Sequence, residues 1–211
     1  MNNPSHNQHP DEPMKSTTAF ESAKSPDEIF PVLGKIAWIW MNSPLHVSWS
    51  VQLLSRFLLP PIQAKQYLLI ERDGYPVAYC SWAFLSKAAE FKYMIDPSDI
   101  SVEDWAGGDR LWFVDWVAPF SKNDSISMKN ELIHQFPHSL ARAIRVKKDK
   151  TNARVMEFKG RQLEPDQAST LLKGYYGDFL SIAKQKNLII KKKPDGAFDE
   201  LQKPPIVQKS I

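Results

Sequence analysis

The chain has 211 residues, 43% of them hydrophobic, and a formal net charge of +3. That length supports one core with arms, no window reaches the ~18 consecutive apolar residues of a membrane span, and so mild a basic excess does not by itself name a nucleic-acid partner. The single cysteine, Cys80, excludes an internal disulfide and fits a reducing compartment.

Residues 1–28 are rich in Pro, Ser, Asn and His and bury too little to offset ordering, so a disordered arm is expected. They lack the basic start and apolar stretch of a secretory signal, and the expected location is the cytoplasm. "DEIFPVLGKIAWIWMN" places Ile29, Val32, Leu33, Ile36, Ala37 and Trp40 at helical spacing. Pro44 then disfavours helix at Ser43. "SWSVQLLSRFLLPPI" predicts a second helix, with Ser48 or Ser50 as N-cap and Pro60-Pro61 as its stop. In "QYLLIERDGYPVAYCSWAFL" two β-rich runs flank Asp73-Gly74, which predicts a hairpin. "KAAEFKYMI" is expected to extend that sheet, and "PSDISVEDWAGGDR" to be a loop with one helical turn. "RLWFVDWVAPF" reads as a strand closed by Pro119 and "SISMKNELIHQF" as a helix. "SLARAIRVKK" and "ARVMEFKGRQL" read as paired strands turning near residues 150–152, and "PDQASTLLKGYYGDFLSIAKQKN" as the closing helix. The fold class is α+β, with helices packed on one mainly antiparallel sheet. The expected organisation is an arm at 1–28, a domain at 29–188 and a flexible tail at 189–211.

Asp115, in "LWFVDWVAP", is a carboxylate inside a core strand, which is costly unless it is paired. Alternation puts it on one face with Phe113 and Val117. Two roles fit: a buried Asp held by backbone donors or an arginine, or a carboxylate that orients a histidine. His46 follows Pro44 at a helix–helix junction, where a structural and a catalytic histidine are both admissible. Ser43 lies three residues earlier, so a turn there would let hydroxyl and imidazole meet. Serine, histidine and aspartate together would form a nucleophile–base–orienter set, although spacing alone does not join residue 115 to residue 46.

His6 and His9 lie in the arm. His134 and His138 are separated by Pro137 and lack a nearby third ligand, so no metal site is expected. Cys80, in "AYCSW", is read as a buried apolar residue. The chain has no GxxxxGK[ST] loop, no GxGxxG, no GxSxG elbow and no CxxC, which disfavours nucleotide hydrolysis, dinucleotide redox chemistry and an elbow-type hydrolase. Arg142, Arg145, Lys147, Lys148, Lys150, Arg154, Lys159 and Arg161 are opposed only by Asp149 and Glu157. That strip is either a solvated strand face or an attractor for an acidic partner.

"LGKIAWIWMNSPLHVSW", "QYLLIERDGYPVAYCSWAFLS" and "GDRLWFVDWVAPF" together resemble the RTX-toxin-activating lysine acyltransferases, the haemolysin-activator family, over roughly residues 31 to 185. The resemblance implies a fold like that of the Gcn5-related N-acetyltransferases, often as a homodimer. It also implies transfer of a fatty acyl group from acyl carrier protein to internal lysines of an RTX protoxin, with no tightly bound cofactor, no nucleic acid and no stable membrane insertion. The family's histidine, aspartate and serine fall on His46, Asp115 and Ser43. Two positions depart from the family: Val47 stands where a basic residue is common, and Phe57 where some members have asparagine.

A lysine amine, with an ordinary pKa of ~10.4, must lose a proton before it attacks a thioester. An imidazole titrating near ~6.5 suits that task, and Asp115 would hold it. Direct transfer is the expected route, with transient acylation of His46 or Ser43 as the other. Under the resemblance Arg142, Arg145, Lys147 and Lys148 become candidates for docking the acidic carrier protein. A non-catalytic protoxin-binding chaperone is the alternative function.

Overall fold

The computed structural model describes residues 25–146, 153–192 and 198–202. Helix α1 (Pro26–Met41) begins inside the segment read as arm, because Pro26 suits the first helical position and the Ser25 N–H donates to the Glu28 carboxylate at 3.0 Å. It buries Ile36, Ile39 and Trp40 and leaves Phe30, Trp38 and Met41 exposed. The second predicted helix is two short ones, α2 (Gln52–Phe57) and α3 (Leu59–Gln63). Val51, rather than a serine, precedes α2. Pro60 and Pro61 start α3 instead of stopping a helix, since a first turn has N–H groups without helical partners anyway.

β1 (Tyr67–Arg72) and β2 (Tyr75–Leu85) form the expected hairpin, with both Asp73 and Gly74 at positive φ as a tight turn between twisted strands requires. "KAAEFKYMI" does not extend the sheet. It is helix α4 (Lys87–Ile95), started by Ser86, whose hydroxyl accepts the Ala89 N–H at 3.2 Å. A 3₁₀ turn at Glu103–Ala106 precedes β3 (Arg110–Val117), followed by α5 (Lys122–Gln135), β4 (Leu140–Val146), β5 (Ala153–Lys159) and α6 (Pro165–Gln185). The turn expected near residues 150–152 lies outside the described residues. β6 (Ile189–Lys192) and β7 (Phe198–Gln202) pair antiparallel, where composition alone led to the expectation of a flexible tail. The β-branched Ile189-Ile190 pair favours extended backbone.

The main sheet runs β1-β2-β3-β4-β5, antiparallel except for β3 and β4. One face packs on α1, α2, α3, α4 and the 3₁₀ turn through Tyr79, Ala83, Leu85, Trp112 and Val117; the other packs on α5 through Cys80, Trp82, Leu111, Phe113 and Ala143. Two irregularities of this sheet bear on the site. The β2–β3 register shifts between Ser81 and Trp82, so Ser81 opposes Asp115 and Trp82 opposes Phe113, leaving Val114 as an extra residue. The β3–β4 ladder holds only Trp112 with Arg142 and Phe113 with Ala143, and stops at that bulge.

Beneath α4 and α6 lies a buried charge cluster. Glu90 accepts from Arg110, from Arg142 and from Trp112 Nε1 at 2.7 Å, and Arg110 also pairs with Asp178. The Arg142 guanidinium stacks between Trp112 and Tyr175 at 4.6 and 4.2 Å. Burial pulls it below the ordinary arginine pKa, with Glu90 acting in the opposite direction. Removing one member of such a cluster strands a buried charge. Glu90→Gln is therefore expected to lower unfolding free energy by about 3–5 kcal/mol, measured by urea denaturation at neutral pH.

Candidate active site

Three elements deliver the site. Near the end of α1, Trp40 lies on the buried face of the helix. The chain then turns tightly: the Ser43 N–H donates to the Trp40 carbonyl, and the His46 and Val47 N–H groups both donate to the Ser43 carbonyl, at 3.0 and 2.9 Å. Pro44 drives this turn by denying Ser43 a continuing helix. It brings Ser43 Oγ to 2.8 Å from His46 Nδ1.

Asp115 comes from β3, and the bulge decides where it points. Strict alternation would keep it on the side of Phe113, toward α5. The additional residue Val114 shifts the phase, so Asp115 shares a face with Val117 and not with Phe113, correcting the sequence expectation. On that face its Oδ2 accepts the Trp40 indole N–H at 2.8 Å, and its Oδ1 lies 3.2 Å from His46 Nε2. The second contact is off the ring N–H axis: Nε2 has no aligned hydrogen-bond partner, so the attraction is electrostatic. The result is a hydroxyl–imidazole–carboxylate chain. The nearby carboxylate favours the proton on Nε2, which leaves Nδ1 to accept from Ser43.

Aromatic rings clamp the imidazole. Trp40 stacks on it at 4.8 Å, Trp49 meets it edge-on at 4.5 Å, and Phe57 backs Trp49 at 5.7 Å. Phe57 thus supports the ring that supports the histidine, an apolar role that asparagine cannot fill. The His46 side chain is only 2% exposed. By contrast Leu45, Val47 and Val51, on the same segment, face solvent. A negative charge at Asp115 reaches further inward: burial raises the Tyr79 hydroxyl well above the ordinary tyrosine pKa and the Cys80 thiol above its own, and Asp115 adds to both shifts.

The four docking candidates separate. Arg142 is 1% exposed and committed to Glu90, so it is corrected from a surface docking residue to a core residue: "RAIRV" alternates, and residue 142 points under α6. Arg145 is exposed, while Lys147 and Lys148 lie outside the described residues. A groove of about 500 Å³, lined by Lys129, Ile133, Leu140, Phe158 and Leu172 among others, sits by the start of β4. Because β3 and β4 run parallel, that is the end of the sheet opposite Asp115. The structure brings together Ser43, His46 and Asp115, the three residues singled out in the sequence, and adds Trp40 and Trp49, which the sequence reading missed as their holders. The available signal was the position of Trp40 on the apolar face of α1, directly before the turn.

Comparison with known proteins agrees with this picture. Residues 25–159 match the model of the RTX toxin acyltransferase family. The chain is 41% identical over 166 residues to the protein-lysine palmitoyltransferase CyaC of Bordetella bronchiseptica, covering 79% of this chain and 90% of that protein. It is 42% identical over 157 residues to the RTX-I toxin-activating lysine-acyltransferase ApxIC of Actinobacillus pleuropneumoniae, covering 74% and 90%. It is 43% identical over 156 residues to the protein-lysine myristoyltransferase HlyC of Escherichia coli, covering 74% and 91%. With the family model spanning most of the chain and these identities sustained over nearly the whole length of each relative, the protein belongs to the RTX toxin acyltransferase family.

Proposed function

We propose that the protein activates an RTX protoxin by moving a fatty acyl group from acyl-acyl carrier protein to internal lysine ε-amines, with Ser43, His46 and Asp115 as its catalytic residues. The observation that carries this reading is the continuous chain from Ser43 Oγ through the imidazole to Asp115, assembled from segments some seventy residues apart. Both ring nitrogens face protein groups. The amine therefore loses its proton to the ring through the Ser43 hydroxyl, which hands its own proton to Nδ1 as the nitrogen attacks the thioester carbonyl. The imidazolium is stabilised by Asp115. When the tetrahedral intermediate collapses, the C–S bond breaks and the same proton returns to the departing thiolate. Transfer is direct, without an acyl-enzyme.

A fold of the Gcn5-related N-acetyltransferase type is supported by the short β3–β4 ladder, beyond which the two strands no longer pair with each other beside Asp115. The donor's extended thioester arm enters there. Exposed Arg145, near the end of β4, attracts the acidic carrier protein together with Lys147 and Lys148 of the same basic strip. We also propose that two copies pair through the exposed apolar face of α1 formed by Phe30, Trp38 and Met41. The reaction takes place in the cytoplasm. Among the described residues no helix is long and apolar enough to cross a membrane.

Intact-mass analysis of protoxin incubated with the protein and fatty-acyl-acyl carrier protein tests the reading: a lysine-localised acyl mass is expected, and its absence at every chain length rejects the enzyme. His46→Ala should lower the rate by roughly 10²–10⁴-fold with the fold retained by circular dichroism, whereas a chaperone would keep its effect. Arg145→Glu should raise KM for the acyl carrier protein substrate more than it lowers kcat, with the difference shrinking as salt rises.

A further inference from the structure

The basic strip contains a like-charged pair. Arg145 of β4 and Arg154 of β5 are direct cross-strand partners in an antiparallel ladder. Side chains so placed start ~4.5–5.5 Å apart, and like charges there are destabilising. Both arginines are exposed, and neither forms an ion pair with a described carboxylate. The one acid of β5, Glu157, is turned to the other face. It is cross-strand from Arg142 and accepts from the Tyr176 hydroxyl at 3.5 Å. Arg154 Nε donates to Met156 Sδ at 3.2 Å, which leaves its two terminal nitrogens for an external acceptor.

Strand alternation fixes where the pair sits. Ala141, Ala143 and Phe158 pack on the α5 side of the sheet, and Ile144 and Val155 on the α1 side. Arg145 and Arg154 therefore lie on the α5 side, beside half-buried Met156. Asp115 faces the other way, toward α1. Phe113 pairs with Ala143, and Asp115 and Arg145 each lie two residues further on, past the end of that short ladder. The arginine pair and the carboxylate thus stand at one end of the sheet, on opposite faces, with an unpaired seam between β3 and β4.

Two adjacent guanidinium forks suit a phosphate, whose oxygens accept several parallel N–H bonds at once. A phosphate held between them replaces their mutual repulsion with attraction. Acyl carrier proteins hold the acyl group on a flexible arm rooted in a phosphodiester, so the donor brings one such group at a fixed distance from its thioester. We propose that Arg145 and Arg154 are the phosphate subsite of the donor. They grip the phosphodiester on the α5 side, and the arm passes through the seam to present its thioester to Ser43 on the α1 side. Long-range attraction of an acidic carrier surface would need only positive charge; this subsite needs the two forks in register.

The subsite rests on the acyltransferase reading, and calorimetric titration tests it independently of turnover. The probes are phosphopantetheine, pantetheine and inorganic phosphate. Wild-type protein should bind phosphopantetheine at least tenfold more tightly than either of the others. In Arg145→Gln/Arg154→Gln that preference over pantetheine should vanish while affinity for pantetheine is unchanged. Arg145→Lys/Arg154→Lys, which keeps the charge and loses the forks, should recover only part of it. No preference in the wild type, a preference that survives the glutamine variant, or inorganic phosphate binding as tightly as phosphopantetheine overturns the subsite. Slower turnover of fatty-acyl-acyl carrier protein by the glutamine variant without any phosphate preference in the wild type assigns the arginines to the carrier's acidic surface instead. A protein that shows the preference yet acylates no protoxin lysine keeps the subsite and rejects the acyltransferase reading.

Discussion

An additional residue in β3 fixes the relation between the two halves of the site. Val114 lets Asp115 turn toward α1 while Leu111 and Phe113 stay packed on α5. Without it the carboxylate would lie among the apolar side chains of the opposite face, where an unpaired charge is costly. With it, the indole N–H of Trp40 and the imidazole of His46 supply the partners that make burial tolerable. The same bulge ends the pairing of β3 with β4. One local irregularity thus sets both the direction of the carboxylate and the place where neighbouring strands are released from each other.

The site also depends on a rigid background. The Glu90 cluster ties α4, β3, β4 and α6 into one unit on the side of the sheet away from the β1 edge. The tryptophans of α1 and the following segment close the other side. Between them the imidazole can neither tilt nor flip without displacing an aromatic ring. This matches what orientation-dependent catalysis requires of its supports.

Much of the fold and site is legible in the sequence, for identifiable reasons. Helix α1, the Asp73-Gly74 hairpin and the β4–β5 pair carry strong local signals of period and turn chemistry, and all three form. "KAAEFKYMI" forms a helix against expectation because its apolar residues suit either state, and the deciding signal is one capping hydroxyl at Ser86. Pro60-Pro61 resembles a stop because proline ends helices as readily as it begins them. Arg142 shows a different limit. Its neighbours in sequence form a basic strip, but strand alternation turns every second residue inward, and which ones turn depends on the partner strands. A bulge such as that at Val114 leaves almost no local trace, so the meeting of residues 46 and 115 needs the fold itself.

The turn between α1 and α2 has a mechanical consequence. Ser43 and His46 are internal, yet Leu45 and Val47, joined to them through consecutive peptide bonds and the shared Ser43 carbonyl, are on the outside. Whatever leans on that outer ridge also shifts the Ser43–His46 contact beneath it. Under the proposed mechanism, a substitution at Leu45 or Val47 therefore carries into the buried site as well as changing the outer surface.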